Sequence, residues 1–413
     1  MKILFVCHRL PYPPNRGGKI RPFNMIRHLG QKHSVTVASL AFTEDELKES
    51  LELKNYCADV ITEVVPNSVR WRRACRALLT ATPSSVAYFW SPHLRRRVEE
   101  AARHKDFDAV LVHCAFAAQY AVGIPTKFGM LDFGDLDSAK WFDYEKERAF
   151  PLSRVFGIEA RKLRKYEKKV AQKFQHCTLT TYGELEEFKK LKLGLPSSVI
   201  PNGVDSSYFQ HSQQRGGDAP IIVFLGRMDY FPNIDGVLYF AKEIFPLIRR
   251  KIPRAEFHIV GSKPSRAIKK LQAMTGISVT GHVPDVRPYL HDAAVSIAPL
   301  RMARGTQNKI LESMAMSVPV VATPQAAKGI QAIPQKHLLV GDDAESFADQ
   351  VVRVLENPTL QKLLSEAGRK RVEETHAWSV SMQILDGILQ KAVTATGGSA
   401  VQGLAASIPG LAH

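Results

Sequence analysis

Twelve short apolar runs punctuate the chain, at residues 2–7, 34–40, 60–65, 109–113, 127–132 and 176–181, and then at 220–225, 255–260, 277–280, 294–298, 318–322 and 337–340. Runs of this length without polar alternation predict strands buried on both faces. The stretches between them carry apolar residues at near-helical spacing, as Ile20, Phe23, Ile26 and Leu29 do. Strand and helix in alternation predict an α/β fold of doubly wound parallel sheets.

The runs fall into two sets separated by "NGVDSSYFQHSQQRGGDAP", a polar, Gly- and Ser-containing stretch with a turn-type Asn-Gly. A chain of 413 residues exceeds what one core usually supports, so two Rossmann-like domains are expected. Ligands of such sheets bind at the carboxyl ends of the strands, which predicts a central cleft between the two. The last twenty or so residues are uncharged apart from a terminal His and rich in Ala, Gly and Ser, which predicts disorder.

Charge changes the picture more than composition does. The net charge is +16, and the first 200 residues hold 33 basic against 22 acidic side chains. A basic half suits a polyanionic partner or an anionic membrane, and equally a solvated surface. Residues 69–98 mix Trp, Phe and Leu with seven arginines, which fits either a membrane-facing element or core helices with a basic outer face. Residues 156–174 place Phe156, Leu163, Tyr166, Val170 and Phe174 on one helical stripe, read as core, with the lysines and arginines as a solvated face. Five scattered cysteines without a CxxC pair argue for a reducing compartment and against a disulfide frame or zinc site. The opening apolar run is too short for a signal peptide and no run approaches a membrane span, so a cytoplasmic or membrane-peripheral protein is expected.

Two junctions carry candidate chemistry. "PPNRGGK", residues 13–19, hands the first strand over to a helix, where Gly17 and Gly18 either serve a turn or bring backbone N–H groups to an anion. "RGTQNKILESMAMSVPVVA", residues 304–322, runs from a turn into a helix and then a strand. Lys309 and Glu312 lie three apart on one face of that helix's start. A lysine there opposes the helix dipole unless an anion sits in front of both. A glutamate one turn on suits a diol such as a ribose; a surface ion pair is the alternative.

"VIPNGVDSSYF", "FLGRMDYFPNIDGVLYF", "HIVGS", "VTGHVPDVRPYL" and "APLRMARGTQNKILESMAMSVPVVAT" together resemble the donor half of glycosyltransferase family 4, and PNRGGK resembles its glycine loop. "PYPPNRGGKIRPFNMIRHL", "LDFGDLDSAKW" and "FLGRMDYFPN" resemble the sugar transferases associated with the exosortase/PEP-CTERM system of exopolysaccharide producers. The resemblance implies a GT-B fold. Residues 1–198, completed by a C-terminal helix at about 376–392, would form the acceptor-side domain. Residues 199–218 would be the linker, 219–375 the nucleotide-sugar domain and 393–413 a disordered tail.

The implied activity is retaining transfer of a sugar from a nucleotide-diphosphate donor, without a cofactor or metal, to a lipid-linked or saccharide acceptor. Arg227 and Lys309 would then hold the diphosphate, with backbone from Gly17, Gly18 and the Gly305, Thr306, Gln307 and Asn308 turn. Glu312 would take the ribose hydroxyls, Gly261 and the His282–Val283 backbone the rest of the nucleotide. His113 would lie near the donor sugar, Asp132 would orient or deprotonate the acceptor, and Lys19 and Asp135 would contact it. Asp137 is expected to cap the helix that begins at Ser138. The chain departs from the family pattern at Arg304, where a glutamate is usual, which puts the sugar contact there in question. A nucleotide-sugar epimerase or hydrolase on the same fold is the alternative enzyme, and a basic membrane-surface or nucleic-acid binder the non-enzymatic one; the chain carries no nucleic-acid motif.

Overall fold

The computed structural model describes residues 1–15, 17–210 and 219–396. The chain divides into two compact units, residues 1–200 together with the segment from 382 onward, and residues 201–381.

The first unit is built on β1 (Lys2–Cys7), β2 (Ser34–Ala41), β3 (Asp59–Val64), β4 (Ala109–His113), β5 (Phe128–Gly134), β6 (His176–Leu179) and β7 (Ser197–Val199), in the order β3-β2-β1-β4-β5-β6-β7. Every pairing is parallel. From Ile3 to Cys7 in β1 and from Ala109 to Val112 in β4 the strands are apolar and buried, because helices cover both faces of the sheet. Leu4, Val6, Val110, Val112, Leu131 and Phe133 pack with Leu163 and Val170 of the Leu152–Ala171 helix. β7 has no counterpart among the apolar runs: it is a half-buried edge strand of two serines and a valine, held by its ladder to β6.

The second unit repeats the plan with β8 (Ile221–Leu225), β9 (Glu256–Val260), β10 (Ile277–Gly281), β11 (Val295–Ala298), β12 (Val320–Ala322) and β13 (Leu339–Val340), ordered β10-β9-β8-β11-β12-β13 and again parallel. Its core joins Ile222, Phe224, Phe257 and Ile297 to Ile310, Met314 and Phe347. Helix starts are set locally: Thr43, Thr181 and Asp343 each accept a backbone N–H of the first turn that would otherwise be unpaired.

In each sheet the strand order reverses once, between β1 and β4 and between β8 and β11. The loops leaving the carboxyl ends of such neighbours diverge, and the crevice they leave is where ligands of open α/β sheets bind.

One expected boundary shifts. The Trp378–Thr396 helix contains the first residues of the expected tail, which are therefore helical as far as Thr396; the rest of it lies outside the described residues. So do residues 211–218 of the expected linker. Residues 69–98 form parts of three helices, Asn67–Ala77, Ser84–Tyr88 and Pro92–His104, and among the described residues no helix is long and apolar enough to cross a membrane.

Candidate active site

At the carboxyl ends of the first sheet, β4 delivers His113 and β5 delivers Asp132 directly beside it in register. His113 Nδ1 lies 2.7 Å from Asp132 Oδ2. Arg21, from the Gly17–Gly30 helix, grips the same carboxylate through Nε at 2.9 Å and Nη2 at 2.7 Å, and Thr178 of β6 donates its hydroxyl at 2.7 Å. The remaining Arg21 arm donates to the Ile200 carbonyl at 2.7 Å. Burial alone would raise the Asp132 carboxyl, but the Arg21 charge and the hydrogen bonds from Arg21 and His113 outweigh it and hold it well below the usual carboxylate range. An ionised carboxylate only accepts, so His113 Nδ1 carries the proton of this bond and the ring is held in one orientation.

This overturns one expected role. Asp132 is 1% exposed and spends its oxygens on four donors, so it is a positioning group for His113 and not an acceptor base. Lys19 is likewise corrected: it is buried, with its ammonium on the Tyr12 carbonyl and beside Glu46, because the helix that carries it packs nearly all round. Asp137 does not cap its helix; it is the first helical residue, and its carboxylate takes the Cys114 thiol at 3.7 Å. Asp135 stays half-buried and accepts from the Thr180 hydroxyl. Gly17 opens the helix as expected, and a Cβ on Gly18 would meet no atom within 4 Å, which leaves room against the backbone there. Arg16 lies outside the described residues. Cys114, next to His113, holds a φ of 74°, a conformation a non-glycine residue adopts at a cost.

At the β8/β11 reversal of the second unit, Arg227 follows β8 and Lys309 opens the Asn308–Ala315 helix. They are joined by Asn233, whose amide donates to the Arg227 carbonyl at 2.9 Å and accepts from Lys309 Nζ at 2.6 Å. The Lys309 ammonium also sits 4.1 Å over the Phe224 ring. Lys309 is therefore buried, which excludes the surface ion pair. Burial pushes it down to about 7, against the pull of Glu312, and pushes Glu312 up to about 7, against the pull of Lys309. The Arg227 guanidinium is half-exposed and pairs through Nε with Asp229 at 3.0 Å.

No side chain caps the Asn308–Ala315 helix, and the buried Thr306 Oγ1 and Asn308 Oδ1 have no protein partner. Gly305, at φ 61°, makes the turn ahead of it, and the Gln307 amide donates to the Arg304 carbonyl at 3.0 Å. His282 is exposed and Val283 half-buried after β10, where Val283 packs near Leu225 and Val260 at the ends of β8 and β9. Gly261, expected at the nucleotide, has a local reason for being glycine. Its φ is 148° and a Cβ would lie 1.8 Å from the Gly226 carbonyl oxygen, so it permits close approach of two strand ends. Its N–H faces the Thr280 hydroxyl at 3.4 Å.

Within the second unit the arrangement gathers cations, an uncapped helix start and a carboxylate at one sheet end. Within the first it builds an oriented imidazole. Sequence reasoning missed Arg21 and Thr178, whose signals, an arginine amid an apolar helix and a threonine inside a strand, are too common to read alone. Among the described residues no group of three or more His, Cys, Asp or Glu side chains is placed to hold a metal ion.

Residues 219–357 match the family "Glycosyl transferases group 1". A putative teichuronic acid biosynthesis glycosyltransferase of Bacillus subtilis is 31% identical over 183 residues, 41% of this chain and 43% of that one. A phosphatidyl-myo-inositol mannosyltransferase of Propionibacterium freudenreichii is 28% identical over 196 residues, 45% of this chain and 49% of that one. The matched stretch thus spans less than half the length of either relative. Among solved structures, the sucrose-phosphate synthase of Thermosynechococcus elongatus superposes with a TM-score of 0.71 at 16% identity, covering 96% of this chain and 99% of that one. The Anabaena HepE protein in complex with UDP superposes with a TM-score of 0.67 at 13% identity, covering 94% and 100%. The fold of the two parallel-sheet units is GT-B.

Proposed function

We propose that this GT-B chain is a retaining glycosyltransferase that moves a sugar from a nucleoside-diphosphate donor to a lipid-linked acceptor in exopolysaccharide assembly. The observation that carries the reading is the buried Lys309 ammonium at an uncapped helix start, hydrogen-bonded to the Asn233 amide and set over an aromatic face, where burial outweighs the pull of Glu312. A buried ammonium so weakly compensated is costly, and an anion placed before it and the helix N-terminus offsets that cost.

In this reading the diphosphate takes its positive partners from Arg227 and Lys309 and its N–H donors from the Gly305–Asn308 turn. Charge develops on the leaving phosphate as the bond to the anomeric carbon breaks, so groups aimed there lower the barrier most. Glu312 takes the ribose hydroxyls and the His282–Val283 backbone the base edge. The acceptor hydroxyl attacks the anomeric carbon while its proton passes to the departing phosphate oxygen, which suits a site whose Asp132 is already committed. His113, held by Asp132, binds the donor sugar. The relation to the exosortase/PEP-CTERM transferases rests on the motif resemblance.

Thermal melting against a panel of uridine-, guanosine- and adenosine-diphosphate sugars tests the donor class, because a ligand of the native state raises the melting temperature. Stabilisation by one sugar nucleotide, followed by a product that keeps the donor's anomeric configuration, is the expected outcome. Donor turnover with no acceptor present favours an epimerase or hydrolase instead. Binding of polyanions without binding of any sugar nucleotide removes the transferase reading.

A further inference from the structure

The Asp137–Glu147 and Leu152–Ala171 helices of the first unit form an antiparallel hairpin. Its base is fixed at the carboxyl end of β5, where Glu167 accepts the Ser138 N–H at 3.0 Å. Higher up, Arg161 lies 3.4 Å from Glu145, and Trp141 packs on Phe156 at 5.4 Å. At 1.5 Å per residue, Ile158 stands about 13 Å and Leu152 about 22 Å beyond the level of Glu167. The hairpin tip thus projects outward from the end of the sheet that carries His113.

That tip is apolar and uncovered. Phe150 is 80% exposed, Leu152, Val155 and Ile158 about half, and the three helical residues recur every third position on one line. The line leads to Lys162, whose ammonium caps the Ala77 and Leu78 carbonyls at 3.1 and 3.0 Å. The Asn67–Ala77 helix therefore ends beside it, adding Leu78 and Leu79, the latter 93% exposed, and Trp71 one helical repeat back.

Charge decides what covers this face. The Asn67–Ala77 helix has no acidic residue, and the two in the Leu152–Ala171 helix, Glu159 and Glu167, are buried and accept backbone N–H groups. Apart from the Cys75 thiol, the exposed ionisable side chains of these two helices are cations, Arg72 and Arg76 on the first, Arg154, Arg161 and Lys165 among those on the second; the hairpin's other arm adds the exposed Glu147 beside Lys146, and its Glu145 pairs with Arg161, so cations are in excess on the face as a whole. A second copy of the chain would bring the same cations against these. An anionic bilayer complements them, with Phe, Leu and Trp entering the acyl boundary and the cations meeting headgroups.

We propose that the hairpin tip and the end of the Asn67–Ala77 helix form one bilayer-docking face that holds the His113 end of the first sheet at an anionic membrane. The assignment of an acceptor to that end rests on the transferase reading; the docking face does not.

The full chain is sedimented with vesicles of phosphatidylcholine alone and of phosphatidylcholine with phosphatidylglycerol. Binding to the anionic vesicles, lost at high salt, is expected. The double variant Leu79→Asp/Phe150→Asp should lower the partition coefficient by about tenfold or more. Arg72→Glu/Lys165→Glu, which leaves the apolar residues alone, should lower it in the anionic vesicles only. Melting shifts with sugar nucleotides, unchanged in both variants, keep a failure of docking apart from a failure of the transferase reading. Absence of vesicle binding, equal binding by all three proteins, or a concentration-dependent dimer abolished by the same substitutions overturns the proposal.

Discussion

Arg21 and Asp132, 111 residues apart in the chain, are locked in a two-point ion pair that both residues make almost entirely out of contact with water. Asp132→Asn keeps the shape but leaves the Arg21 charge buried without a counter-charge, which typically costs about 3–5 kcal/mol. Urea unfolding at neutral pH measures that loss. The folded carboxyl lies far below its unfolded value, so its contribution is fully present above about pH 4 and fades as the pH falls below that. The variant should therefore show a flatter acid limb than the wild type.

Lys309→Met fills the buried volume beside Phe224 without a charge, so the fold should hold while transfer falls by about 100-fold or more. Arg227→Ala should lose activity on a similar scale with no change in melting temperature, because its guanidinium is half-exposed and pairs with a neighbour two residues on. Steady-state kinetics beside thermal melting separates the two effects. Near-normal activity in either variant removes that cation from the diphosphate site.

Burial lowers Lys309 to about 7, so in the free protein at pH 8 the side chain is largely neutral. A diphosphate favours the charged form, so donor binding should take up a proton at pH 8 and weaken as the pH rises from 7 to about 9. Calorimetry in two buffers of different ionisation enthalpy measures the uptake. Lys309→Met should show none of it attributable to this site.

Gly261→Ala should lower the melting temperature even though the change is one methyl group. The strand end must move to relieve the 1.8 Å approach to the Gly226 carbonyl, and the backbone conformation itself costs about 1–3 kcal/mol for a residue with a side chain. Circular dichroism melting checks it, and the displaced β8 end should weaken sugar-nucleotide binding in parallel.

How much of this was legible beforehand differs by element. β8 is apolar throughout, and β1 and β4 are so apart from Lys2 at one start and His113 at one end, because both faces are covered, so the run itself marks the strand. β7 carries no such signal, since an edge strand of two serines and a valine is held by its backbone ladder to β6 and the Ser198–His176 side-chain contact. The Arg227 and Lys309 positions were legible from strand-to-helix junctions, but the Asn233 bridge between them was not, as it depends on how the starts of the Phe231–Tyr239 and Asn308–Ala315 helices meet. Asp132 was found and its role misread, because a carboxylate at a strand end looks the same whether it faces a cleft or three neighbouring elements.

The sequence by itself determined the alternation of strands and helices, the two-unit plan, and which strand ends would carry ionisable groups. These follow from local periodicity and from turn residues, which act over a few neighbouring positions. Tertiary structure alone decided that Lys309 is buried, that Asp132 is spoken for, and that the apolar side chains of the hairpin tip meet solvent while those one turn below meet the core. Burial and pairing depend on residues far apart in the chain, such as Arg21 with Asp132 or Lys162 with the end of the Asn67–Ala77 helix, and no local pattern encodes which distant partner arrives.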